Sequence, residues 1–130
     1  MLVILFPMKN YLFIFCFLLA SCYTVERNCI PFHEGTFEFS QIINGKLTRS
    51  VFERTPDYEI ERFEGVVDTA SLRWVNDCEC ILTKLNPTTN QDKRPIQIKI
   101  LSTTDQSYTF EYSLVGDSAN TQRATIQKIN

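Results

Sequence analysis

From Gly35 to the C-terminus, turn-forming residues recur at intervals of about 9–12 and leave no room for a long helix. They are Asn44-Gly45, Pro56-Asp57, Glu64-Gly65, Asn76-Asp77, the polar stretch 86–95, Thr104-Asp105-Gln106 and Gly116-Asp117-Ser118. The runs between them alternate apolar with polar residues, the period-2 pattern of a strand with one buried face. Residues 35–41, 96–100 and 108–114 alternate most cleanly. Asn44-Gly45, set between Ile42-Ile43 and Lys46-Leu47, predicts a two-residue type I′ hairpin. The fold class that follows is all-β: an antiparallel meander of seven or eight strands, closed as a barrel or packed as a sandwich.

Taking one face of each run as inward gives Phe37 and Phe39, then Val51, Trp74 and Leu82. The later runs add Ile96, Ile98, Ile100, Tyr108, Phe110, Tyr112 and Leu114. An eight-stranded barrel is just wide enough to fill with side chains or to hold one small ligand. So many rings favour the filled form. In either form Phe37, Phe39, Trp74, Tyr108, Phe110 and Tyr112 are the residues that make the core or face a ligand.

The N-terminus has a different character. Met8-Lys9-Asn10 precedes the apolar run 11–19 and small residues follow, which is the layout of a secretory signal. The run is shorter than the ~20 apolar residues a spanning helix needs. Residues 1–7 form an apolar prefix set off by Pro7, which makes Met8 the alternative start. The expected division is a helical signal peptide at 1–21, a lipidated tether at 22–34 and an all-β domain at 35–130.

Leu19-Ala20-Ser21-Cys22 resembles the lipobox of bacterial lipoproteins. The resemblance implies cleavage between Ser21 and Cys22 and acyl chains on Cys22, because two or three chains hold a protein to a membrane where one is marginal. Tyr23 follows the cysteine in place of an aspartate, which points to the outer membrane. The mature chain then carries 12 basic and 15 acidic residues, since only Lys9 leaves with the signal. That acidic balance speaks against a nucleic-acid partner. The acids concentrate between Glu53 and Glu79, where a solvated acidic face is the expected reading.

Address also sorts the cysteines. Cys16 leaves, Cys22 is lipidated, and Cys29, Cys78 and Cys80 remain in an oxidising compartment. Cys78 and Cys80 share a strand face too far apart for an unstrained bridge, so the partner of Cys29 is one of them. The turn at Asn76-Asp77, with a strand beginning beside it, favours Cys29–Cys78.

Two further resemblances concern the domain. Gly35-Thr36-Phe37 ahead of a meander looks like the Gly-x-Trp opening of lipocalin-type barrels, with phenylalanine at the third place. The span from Gly35 onward is similar to short envelope lipoproteins of unassigned function, some of them labelled "DNA topoisomerase IV". The likeness rests on Gly35-Thr36-Phe37-Glu38-Phe39, residues 73–79, Leu85-Asn86-Pro87 and Tyr108-Thr109-Phe110-Glu111-Tyr112. No phosphate-binding loop supports the label, since the whole chain has four glycines. In that group tyrosine stands more often where this chain has Cys80.

Catalytic constellations are wanting. His33 is the single histidine and no Gly-x-Ser-x-Gly elbow accompanies it. Cys78-Glu79-Cys80 lacks the C-x₂₋₄-C spacing of zinc sites. The expectation is therefore a membrane-anchored, non-catalytic binding or structural module without cofactor or metal. Its partners would be the membrane and an envelope protein or small apolar ligand. A carrier with a lipocalin-like cavity is the first alternative, and an envelope enzyme the second.

Overall fold

The computed structural model describes Val25 and residues 27–130. The signal helix, the Ser21/Cys22 cleavage site and the lipidation site at Cys22 lie outside the described residues. Eight strands follow one another: β1 Gly35–Ile43, β2 Lys46–Arg54, β3 Tyr58–Phe63, β4 Val66–Asn76, β5 Glu79–Lys84, β6 Ile96–Thr103, β7 Ser107–Leu114 and β8 Gln122–Lys128. Each pairs antiparallel with its neighbour, and β8 returns to β1 to close the barrel. Among the described residues no helix is long and apolar enough to cross a membrane.

The hairpins follow from backbone chemistry. Asn44 and Gly45 both have positive φ, 52° and 76°, as a type I′ turn demands. Glu64 and Gly65 repeat the arrangement between β3 and β4, at 48° and 78°, with a strained glutamate in the first place. Gly35 opens β1 for a different reason: a Cβ there would meet Lys128 Cε at 2.7 Å and the Asn130 carbonyl oxygen at 2.8 Å.

Alternation places the core, with one correction. Val51 faces outward, opposite Glu38 and Arg62, and the inward residues of β2 are Ser50, Phe52 and Arg54. Period 2 admits Phe52 to the interior only together with an arginine. The partners described below make that burial tolerable.

The two ends of the barrel differ. At one pole the segment Cys29–Phe32, with a 3-10 turn at Ile30–Phe32, folds across the opening. Phe32 is fully buried among Phe37 and Tyr108, at ring-centroid distances of 6.4 and 5.2 Å. The distal part of the tether thus plugs the barrel. It is held there by the Cys29–Cys78 disulfide, by the Asn28 N–H donating to Thr103 Oγ1 at 2.8 Å, and by Lys128 Nζ donating to the Pro31 carbonyl at 2.6 Å.

The opposite pole stays open. β1 pairs with β8 only at Phe37 and Glu38, and β2 with β3 only from Val51 to Arg54. Residues 40–49 therefore rise beyond the wall as a two-stranded ribbon, with Phe39 and Ser50 still facing the interior at its foot.

Candidate functional site

The plugged half is filled with rings, and at its centre sits a charge. Arg54 is buried, with its guanidinium 5.0–5.7 Å from the ring centroids of Phe37, Phe52, Trp74 and Tyr108. Its Nη1 donates to the Phe32 carbonyl at 2.9 Å and its Nη2 to the Tyr108 hydroxyl at 3.0 Å. Glu59, directly opposite on β3, accepts from Nη2 at 3.2 Å. Burial opposes the charge, yet the oxygens of Tyr108 and Glu59 raise Arg54 above the ordinary arginine range. The same burial pushes the Tyr108 hydroxyl and the Cys80 thiol each up to about 12, although Arg54 pulls both the other way. Both groups are neutral at physiological pH.

Above this layer lies a cavity of about 190 Å³. Phe39, Phe52, Ile98, Phe110, Tyr112 and Ala124 form much of its wall, while Ser50, Arg54 and Glu59 supply polar atoms. A second hollow of about 270 Å³ shares Glu59, Glu61, Leu82 and Ile96 with it and continues to Asp68 and Lys84. The interior is filled at one pole and hollow at the other, where the sequence favours filling throughout.

The acidic stretch is not one solvated face. Asp57, Glu61, Glu64 and Asp77 are exposed, but Glu59 is half-buried, and Glu59 and Glu61 both border the cavity. Glu61 stands directly opposite Asp68, two carboxylates side by side on one face. Loss of water around Glu61 raises its pKa above 4.5, and the charges of Glu59 and Asp68 add to the rise. Lys84 lies 3.4 Å from both Asp68 and Asp92; burial lowers its pKa, but the hydrogen bond and charge from Asp68 help raise it overall.

Of the six aromatic residues expected to face core or ligand, the structure divides the roles. Phe37 and Tyr108 are sealed in the core, whereas Phe39, Phe110 and Tyr112 line the cavity. Tyr108 also reaches the cavity floor. Trp74 is half-buried near the plugged pole, stacked on His33 with centroids 3.7 Å apart and planes 9° from parallel. His33 Nε2 lies 2.7 Å from the Asp77 carbonyl oxygen. The lone histidine thus pins the plug to the β4–β5 turn. Trp74 Nε1 is buried with no hydrogen-bond partner among the described residues.

Cys29 and Cys78 are bonded, and Cys80 is a buried free thiol facing Trp74 across β4 and β5. Among the described residues no three His, Cys, Asp or Glu side chains gather closely enough to hold a metal ion. The arrangement offers a hollow with apolar walls, a charged but internally paired floor and two carboxylates at its rim. Arg54, Glu59 and Glu61 are not among the residues expected inside from the sequence, where the two acids belong to the solvated stretch; their signal is the alternation Ser50, Phe52, Arg54 and the facing Glu59-x-Glu61. Compared with known proteins, the chain matches no family model, no curated protein and no solved structure.

Proposed function

We propose that this chain is an envelope lipoprotein, held to the outer membrane through acyl chains on Cys22, whose barrel binds a small and largely apolar ligand and performs no catalysis. The observation that carries the reading is the unlike character of the two poles. The barrel is shut where the N-terminal segment joins it and hollow at the far end. An anchored protein built this way presents its hollow away from its own membrane.

The size of the hollow restricts the ligand. At about 190 Å³ the apolar hollow is somewhat larger than the ~150 Å³ engineered cavity that admits benzene and smaller than the ~300–1,000 Å³ of drug-sized sites, and the adjoining hollow of about 270 Å³ is lined mostly by charged residues. A single ring, a short alkyl chain or one end of a longer amphiphile fits. An anionic head would meet Glu61 and Asp68, so the ligand's polar end is neutral or basic.

The test is isothermal titration calorimetry with benzyl alcohol, a neutral single-ring probe. Saturable heat is expected with wild-type protein and none with Ala124→Trp, which fills the hollow. Equal binding heats from both would place the probe elsewhere and remove the cavity as its site. Changing Cys22 to serine should release the protein from the membrane fraction; retention would contradict the anchor.

A further inference from the structure

Two hairpin tips lie at the open pole, on hairpins joined through the β2–β3 pairing, with the β1–β2 tip reaching farther out. The β1–β2 tip carries Ile42 and Leu47, 74% and 70% exposed, with Ile43 beside them at 41%. The β3–β4 tip carries Val66 and Val67, 65% and 61% exposed. Ile42 is directly opposite Leu47, so the two side chains share one face of a ribbon that projects past the barrel wall. Single exposed aliphatics need no explanation, but five at the tips of two joined hairpins of one pole do.

Charge narrows what covers them. Lys46 lies between Ile43 and Leu47 and has no ion-pair partner among the described residues. Arg49 and Arg62 stand below the tips with side chains 60% and 55% exposed; their partners, Glu38 and Glu53, sit farther down the wall. Glu64 is the only acid on the tips themselves. The other turns of the open pole are balanced, with Asp92 and Asp117 against Lys93 and Arg94, and Asp68 follows Val67. The cationic surplus is therefore local to the β1–β2 ribbon and the adjoining end of β3, while the turns of the plugged pole carry Glu34, Asp57, Asp77 and Asp105.

We infer that the open pole docks on an anionic lipid surface. Ile42, Ile43, Leu47, Val66 and Val67 enter the boundary between headgroups and acyl chains, and Lys46, Arg49 and Arg62 meet the phosphates. Two convex, separately projecting tips suit a fluid surface that closes around each of them. A second copy of the chain would bring the same three cations face to face. The inference does not require the ligand reading, since surface binding is measured without any ligand.

The experiment uses the full chain as isolated, held by its N-terminal segment in phosphatidylcholine vesicles. A second, labelled vesicle population is phosphatidylcholine and phosphatidylglycerol in equal parts, and energy transfer reports bridging. If the chain does not remain on the first vesicles, direct co-sedimentation with the anionic population is read instead. Wild-type protein is expected to capture anionic vesicles and to capture neutral ones at least tenfold less. Leu47→Asp combined with Val67→Asp should remove capture at least tenfold, and Lys46→Glu should weaken it severalfold and reduce its salt sensitivity. Protection of the Cys80 thiol checks that each variant is folded. Absence of capture by wild-type protein, or equal capture by the Asp variant, would overturn the inference. A concentration-dependent dimer abolished by Leu47→Asp would overturn it in favour of a second copy.

Discussion

Arg54 and Glu59 stand directly opposite each other on β2 and β3 inside the barrel, with Nη2 3.2 Å from Oε2 and side chains 1% and 13% exposed. A pair so placed contributes little by its attraction alone, because each charge gave up water to enter. Its weight shows when one member is removed. Glu59→Gln and Arg54→Met should each lower stability by about 3–5 kcal/mol, the loss typical of an orphaned buried partner. The double variant should cost less than the sum by about 0.5–3 kcal/mol, the range of coupling between residues in contact. Urea denaturation of the four proteins measures this; strict additivity would mean the pair is not coupled.

The plug depends on its covalent staple. Cys29 and Cys78 are 49 residues apart, and opening a loop of that length costs about 2–4 kcal/mol. Cys29→Ser should lower the denaturation midpoint accordingly. It should also shift the emission of Trp74 to longer wavelength, since Trp74 is the single tryptophan and loses its His33 cover when the plug loosens. An unchanged spectrum would show that His33 holds its place without the disulfide.

Cys80 reports the integrity of the floor. Burial pushes its thiol up to about 12, so neither access nor the reactive thiolate is available at neutral pH. Folded, unreduced mature protein should give no reaction with a thiol reagent at pH 7.5. After unfolding it should give one equivalent, and after reduction three. Three equivalents without reduction would contradict the Cys29–Cys78 bridge.

Glu61 sets a pH dependence of stability. Its folded pKa lies above the unfolded value, so the folded state binds that proton more tightly. Ionised Glu61 therefore costs stability above its folded pKa, and the cost disappears as pH falls below the unfolded value near 4.5. Glu61→Gln should melt higher than wild type at pH 7.5 and lose that advantage near pH 4. Thermal scans at the two pH values check the sign.

How much of this was legible depends on whether the information is local. Asn44-Gly45 announces its turn because few other pairs accept two positive φ angles, and strands 108–114 and 96–100 announce their inner faces by alternation. Cys78 could be chosen over Cys80 from a neighbouring turn. Arg54 could not be placed, because an arginine at a strand end reads as solvent-facing until Glu59 and Tyr108, 5 and 54 residues away, are seen beside it. Phe32 belongs to a segment without period; only its bond to the barrel through Cys29 draws it inside. The open mouth is written in strand registers, in the two pairs that join β1 to β8, and no single run of residues carries it.

Native mass spectrometry of the protein, gently extracted from its own host's membranes, reads the anchor and the ligand in one spectrum. The expected species is a diacylglyceryl-modified mature chain beginning at Cys22, with a small molecule of constant mass bound noncovalently to wild type and absent from Ala124→Trp. An unmodified chain, or wild-type and Ala124→Trp spectra equally free of any bound molecule, would contradict it.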